Sequence, residues 1–449
     1  LALTGDEIWI ATGVYTENLV ITHGVRLRGG WDVSFTIPSP LSTPTIIDGA
    51  GDHVIFIDAA DEAVVLDGLV LTNGKDGVHV DAGIVTVTRC IVQQYTRQGF
   101  EIDGGIVRLE GNLIREGERE GIEIDGGAVT VFSNTIDGVG RYGILVEGGT
   151  VTITGNRIHD VRGAIYHGIR IEVSGVITGN DISDIGDRGI DARGGAFVLA
   201  DNTVRNTGGD GIRTADTSTE VEIRGNAIYS AGNDGVHARG MSRSIVGNTV
   251  VDCADNGIKA EEIGKGVRVE ANLVLSNGNG LVVRGAPVFT LTNNILGGHI
   301  TASVELTGTG VGVVYHNTIV GNRTGTGMAL LGPLTVTLVN NIVVGHDVGI
   351  TATVETRPVV SHTLLWDNGR DPISGTGVIV GDPLFVAPER GDYHLRPASP
   401  AVNAGIDVGV AGDIDGDPRP IGTQPDIGAD EAWARVYLPL VLRQRLQRR

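Results

Sequence analysis

Cysteine, lysine and aromatic residues are all scarce in this chain, and each shortage removes a class of protein. Only Cys90 and Cys253 carry thiols. The repeat described below sets them seven rungs apart, roughly 30 Å at ~4.8 Å per rung, which excludes a disulfide between them. Aromatics are 4% of the 449 residues, too little bulk for a layered core of this size. Lysine occurs only at Lys75, Lys259 and Lys265, and the formal net charge is −20. A nucleic-acid binder needs a basic stripe, so that class is excluded, and anionic lipid is disfavoured on the same ground. No run approaches the ~20 apolar residues of a membrane span. There is no phosphate-binding glycine loop, no Cys/His zinc spacing and no nucleophile elbow. The chain starts at Leu1, not Met, and reads as a mature or trimmed fragment.

What is abundant is glycine, 69 of 449 residues, about twice the usual share of ~7%. With many Val, Ile and Thr, it predicts short strands and tight turns. The strands recur. An Asn followed at the second position by an aliphatic stands at 112, 134, 156, 180, 202, 226, 248, 272, 294, 317 and 341, with gaps of 22 to 24. In phase with it, a Gly opens an aliphatic–x–small or aliphatic triplet, as in Gly77-Val78-His79-Val80 and Gly121-Ile122-Glu123-Ile124. A unit of this length cannot close its own core, but stacked copies can, each strand pairing with its counterpart one turn on. Val78, Phe100, Ile122, Ile144, Ile169, Ile190, Ile212, Val236 and Ile258 then form an inward column. The asparagines are expected to form a stacked amide ladder at a turn, a structural role.

This pattern resembles the right-handed parallel β-helix repeat family of secreted and surface proteins. The expected fold is all-β, a single-stranded right-handed parallel β-helix over residues 1–370, with Gly5 to Asn18 as its first rung and Arg28-Gly29-Gly30-Trp31 as the turn that follows. A loop-rich module follows at 371–434, carrying Gly381-Asp382-Pro383-Leu384-Phe385, Asp392-Tyr393-His394-Leu395, Asp413-Ile414-Asp415-Gly416-Asp417-Pro418-Arg419 and Asp426-Ile427-Gly428-Ala429-Asp430-Glu431. In that order these resemble the terminal region of bacterial choice-of-anchor Q domain proteins, which implies an extracellular or cell-surface place. Residues 435–449 are expected as a terminal strand and basic tail. The position twelve from Asp413 is Gln424, where an EF-hand needs Glu, so the alternating aspartates read as a turn.

Chemistry is expected on the outward columns two and four residues after each Gly, because strand side chains alternate. Glu101, Asp103, Glu123 and Asp125 put four carboxylates on adjacent rungs. Their repulsion calls for a hard cation, and Ca²⁺ is the candidate metal, with no other cofactor required. Glu101 and Glu123 also suit the ~5–5.5 Å separation of a retaining glycosidase pair. Beyond them the face turns basic and aromatic, so Tyr142, Tyr166, His167, Arg170, Arg188 and Arg213 are the candidate catalytic set. Arg and metal would neutralise a uronate carboxylate while Tyr or His moves protons. His79, Asp191, Asp210, Asp234, His237 and Lys259 are the candidate substrate contacts. A bland reading makes Arg170, Asp191 and Arg213 a cross-strand ion-pair ladder.

Family motifs do not name an enzyme. Tyr166-His167-Gly168-Ile169-Arg170-Ile171-Glu172 resembles two polygalacturonase elements, yet the paired Asp-Asp is missing. Tyr142-Gly143-Ile144 resembles the start of the alginate epimerase motif, but Leu145-Val146 follows where Asp and His belong. The leading expectation is a monomeric, secreted or surface-displayed protein that binds polysaccharide on one sheet face. The alternatives are a Ca²⁺-dependent lyase, epimerase or glycosidase on that face, and a structural rod or adhesin.

Overall fold

The computed structural model describes residues 2–36, 42–215, 217–373 and 375–432. These form an all-β solenoid of about 16 turns. Each turn carries up to three short strands, and every strand of the solenoid pairs in parallel with the equivalent strand one rung on. We call the three stacks the first, second and third sheets. In one rung they are Ile122–Ile124, Ala128–Phe132 and Thr135–Val139. The first and second join into one 27-stranded sheet, because strands such as Val78–Thr88 and Asn256–Glu270 run round the corner between them.

Register follows the repeat. Phe100 lies opposite Val78 on one side and Ile122 on the other, and Ile190 lies between Ile169 and Ile212. The predicted inward column from Val78 to Ile258 is fully buried. It joins the inward residues of the other two sheets in one continuous apolar core. Burial at ~25 cal/mol per Å² of apolar surface is what makes each rung worth forming, but only a neighbouring rung supplies the lid.

The turn from second to third sheet explains the asparagines. Each ladder Asn from 112 to 317 donates its Nδ2 to the Oδ1 of the next, as Asn202 does to Asn226 at 3.0 Å. The same oxygen takes the backbone N–H of the preceding Asn, again 3.0 Å for Asn180 and Asn202. The residue before each Asn is left-handed, whether glycine, as at Gly179, or not, as at Ser133, Asp201 and Ala271. A non-glycine residue there costs roughly 1–2 kcal/mol, and the buried amide chain offsets it. Cys90 sits one rung above Asn112 and donates its backbone N–H to that Asn's Oδ1, so it starts the ladder. Both thiols are free and buried.

The repeating Gly of the first sheet serves a different need. A Cβ on Gly121 would stand 2.6 Å from the Gly143 carbonyl oxygen, so the rung corner closes only around a bare backbone. Near the start, Arg28-Gly29-Gly30-Trp31 is not a turn but the end of strand Val25–Trp31. Trp31 stacks on Trp9 with centroids 4.3 Å apart.

Residues 381–432 fold back along the outside of the third sheet. Phe385, Tyr393, Leu395, Ile427 and Ala429 bury against Ile295, Ile342, Val344 and Leu364. Asn293 and Asn340, left-handed turn residues of the solenoid, donate to the carbonyls of Gly412 and Ile406. Asp413 accepts the backbone N–H groups of Asp415, Asp417 and Glu431, as a turn requires. Arg419 pairs with Glu431 at 2.8 Å, both side chains 1% exposed. The terminal strand expected over 435–449 lies outside the described residues.

Candidate functional site

The first sheet carries the candidate residues, and from Phe100–Ile102 to Ile212–Thr214 its strands are three residues long, with only the middle side chain turned out. Ile169–Ile171 and Ile190–Ala192 present Arg170 and Asp191, and Ile212–Thr214 presents Arg213. The preceding corner residue, just before the repeating Gly, stands beside them: Tyr142, His167, Arg188, Asp210 and Asp234. Site geometry arises between these two columns.

Five of the six candidate catalytic residues fall on neighbouring rungs into two groups, and the sixth, Arg213, lines the cleft described below. Tyr142, Tyr166 and Arg170 form an outer group. The tyrosine rings meet edge to face at 5.0 Å, and Arg170 donates to the Tyr142 hydroxyl at 3.1 Å. Arg170 also pairs with Glu172. Arg141 stacks over Tyr166 at 5.6 Å. His167 and Arg188 form an inner group around Asp191. His167 is 2% exposed, its ring packed on Tyr142 at 5.4 Å.

Asp191 was a candidate substrate contact, and its position corrects that role. It is wholly buried. Its Oδ2 lies 2.7 Å from Arg193, 3.2 Å from His167 and 3.5 Å from Arg188. Burial by itself would raise this carboxyl, but His167 and Arg193 outweigh it and hold it well below the usual carboxylate range. Asp191 therefore braces Arg193 from beneath. The expected ladder through Arg170, Asp191 and Arg213 is also not what forms, since the ion pairs of Asp191 run to Arg193, Arg188 and His167.

Asp210, Asp234 and His237 are likewise buried and face one another. His237 Nδ1 is 3.3 Å from Asp234, and its Nε2 is 2.8 Å from Glu261. Burial raises the Asp234 carboxyl, whereas His237 outweighs burial at Asp210 and lowers it. These three present little surface to a polymer laid on the sheet. Lys259 reaches Glu261 at 3.4 Å.

The four carboxylates proposed for one metal part into two sets. Glu101 and Asp103 turn to His79, whose ring nitrogens lie 3.1 Å from each, and Arg97 holds the other Glu101 oxygen at 3.2 Å. The Glu101 contact pushes the His79 imidazole up to about 9. Glu123 instead accepts from Gln98. It groups with Asp125 and Glu147, their ligand atoms within 4.8 Å of one another. Burial first, then the neighbouring acids, raise the Asp125 carboxyl. Glu101 and Glu123 lie opposite each other in register, but their carboxylates bond to different partners.

An open cleft of about 490 Å³ lies immediately beyond, lined by Glu172, Arg193, Gly194, Arg213, Ala215, Thr217 and Arg239. Arg193 rests on Asp191, Arg239 on Glu261 and Glu262. Arg213 comes no nearer than 4.0 Å to Asp210, the longest of these pairs. Glu172 and Arg193 belong to the expected second outward column without an assigned role, and Arg239 was not named. All three stand four residues after a repeating Gly, a signal that extending the second outward column past Arg193 would have carried to Arg239. A larger groove, about 790 Å³, runs along the second sheet past Val176, Phe197, Val198 and Glu222. Its floor is mixed apolar and polar, without convergent charge of one sign.

Comparison with known proteins agrees with this architecture. Residues 53–206 and 120–274 match the family model described as right handed beta helix region. The chain folds as a right-handed parallel β-helix. No curated protein matches it. Among solved structures, the A-module of mannuronan C-5 epimerase AlgE4 from Azotobacter vinelandii is similar at 16% identity and TM-score 0.35, covering 74% of this chain and 89% of that one. The Dettilon tailspike protein (gp208) is similar at 15% and 0.30, covering 73% and 62%. The catalytic unit of the thermostable GH87 α-1,3-glucanase from Streptomyces thermodiastaticus strain HF3-3 is similar at 13% and 0.28, covering 84% and 62%. Among the described residues, no helix is long and apolar enough to cross a membrane.

Proposed function

We propose that the first sheet binds an acidic, uronate-containing polysaccharide, with its carboxylates received in the cleft of Arg193, Arg213 and Arg239. The observation that carries this reading is the cleft's sign. Three guanidinium groups and one carboxylate line it, in a chain whose net charge is −20. Guanidinium forks suit carboxylates geometrically, and an open solenoid face accepts a long polymer without a closed pocket. Tyr142 and Tyr166 extend the surface one rung up, where sugar rings can pack on an aromatic face. Ca²⁺, where the face uses it, belongs on Glu123, Asp125 and Glu147, the acids whose ligand atoms converge. The protein acts as a monomer outside the cell, at the bacterial surface. That part rests on the resemblance of residues 381–431 to choice-of-anchor Q termini.

The test is a titration of the purified chain with an oligouronate and with a neutral oligosaccharide of equal length, with Ca²⁺ or EDTA. Arg213→Ala should weaken oligouronate binding about tenfold, the worth of one exposed charge-assisted contact. Rising salt should weaken it further. Equal binding of the neutral oligomer, or an Arg213→Ala protein with wild-type affinity, would sink the reading. A catalytic version has one specific support, the Arg170–Tyr142 contact at 3.1 Å, which puts a proton-bearing hydroxyl beside a fixed positive charge. Ultraviolet absorbance of unsaturated uronates in the same samples decides whether chemistry follows binding.

A further inference from the structure

Two columns of the first sheet also cross near its N-terminal end, away from the arginine cleft. His53 and Asp76 occupy the corner position on successive rungs, His79 the outward position on the rung of Asp76, and Glu101 the outward position one rung further on. One ligand atom from each of the four lies within 4.8 Å of all the others. We propose that these residues form a binding site for a divalent transition metal of the zinc class.

The geometry argues for a shared ion over a set of ion pairs. His53 Nδ1 is 2.8 Å from Asp76 Oδ2, and His79 Nδ1 is 3.1 Å from Glu101 Oε2. All four atoms are buried, yet none is aligned for a hydrogen bond. The four residues instead bring one ligand atom each into a single space 4.8 Å across, as the ligands of one ion do. Tetrahedral ligands at ~2.0–2.2 Å from one metal stand about 3.3–3.6 Å apart, so these side chains, 2.8 and 3.1 Å apart, need to open by only about 0.5 Å to take the ion. Asp76 is wholly buried, so its inward oxygen has no water to turn to.

The outer atoms of three ligands are held separately. Asp76 Oδ1 accepts the Gln98 backbone N–H at 3.0 Å, and Glu101 Oε1 meets Arg97 at 3.2 Å. His79 Nε2 lies 2.8 Å from Asp81 and 3.1 Å from Asp103. A carboxylate behind the distal nitrogen fixes the tautomer that leaves the proximal lone pair facing the metal. Two imidazoles with two carboxylates suit zinc, cobalt or nickel, whereas calcium and magnesium take oxygen alone. The site stands whether or not the arginine cleft binds a polymer.

The test uses the full chain, stripped of metal with chelator and titrated with Co²⁺ alone, then with Zn²⁺. One Co²⁺ per chain is expected, with visible d–d absorption that Zn²⁺ abolishes and Ca²⁺ leaves unchanged. His53→Ala changes a partly exposed side chain and Glu101→Gln keeps the shape of a buried one, so both should keep the wild-type circular dichroism while weakening Co²⁺ uptake at least roughly a hundredfold. Asp103→Asn should weaken it by about 10–100-fold, as loss of an outer carboxylate does. A stripped wild-type chain that takes up neither metal at micromolar concentration would overturn the proposal. So would Co²⁺ uptake that both folded ligand variants retain in full.

Discussion

Replacing Asp191 by Asn tests whether the inner network braces the arginine cleft. The substitution keeps shape and removes charge. In the native chain this wholly buried carboxylate meets Arg193 at 2.7 Å, His167 at 3.2 Å and Arg188 at 3.5 Å. Removing one partner from a buried ion pair costs ~3–5 kcal/mol. Here the lower end applies, because the Arg193 and Arg188 side chains are 35% and 19% exposed and can rehydrate. A loss of about 3 kcal/mol raises local opening roughly a hundredfold. A solenoid unfolds by regions, so the assay is amide hydrogen exchange of the strands Ile169–Ile171 and Ile190–Ala192, not a global midpoint. The pH dependence has a fixed sign. The native Asp191 carboxyl lies below its unfolded value, so its stabilisation is complete above the unfolded pKa of ~3.9 and is lost as pH falls through the folded value. The gap between the two proteins should stay level from neutral pH down to about 5 and narrow below about 4. Exchange in the variant equal to wild type at pH 7, or a gap that widens in acid, would refute the bracing role.

Two further outcomes follow from the architecture. Asn202→Ala removes the acceptor of the Asn180 N–H and the donor to the Ile177 carbonyl; two buried orphans at ~1–3 kcal/mol each should speed amide hydrogen exchange in the strands Gly175–Thr178 and Phe197–Ala200, and a change under about 0.5 kcal/mol would mean that the ladder is decorative. Glu431→Gln leaves the Arg419 guanidinium buried without its counter-charge, so residues 381–432 should become sensitive to limited proteolysis while the solenoid core stays protected, at a cost of about 3 kcal/mol or more; unchanged cleavage of that segment would show that the apolar contacts alone hold it.

The repeat was legible in the chain because a β-helix rung is nearly a local object. Val78 to Ile258 had to point inward once the 22-to-24-residue period was seen, since parallel stacking places like on like. The amide ladder was legible for the same reason, as was the exclusion of a Cys90–Cys253 bridge. The outward columns were also readable, and with them the basic stretch from Arg141 to Arg213.

Which of those side chains meet was decided only in three dimensions. Contacts run diagonally, from the corner column of one rung to the outward column of the next, as from His167 to Asp191 and from His53 to His79. A list of columns does not show diagonals. It shows Asp191 as outward and therefore exposed, whereas Arg188, Arg193 and His167 close over it. It shows four acids on two rungs as one cage, whereas His79 and Arg97 draw Glu101 and Asp103 away and leave Glu123 and Asp125 with Glu147. Strand alternation sets the face of every side chain, and that is periodic and local. Rotamers, and the competition of neighbouring charges for each carboxylate, set the partner, and those depend on the whole surface at once.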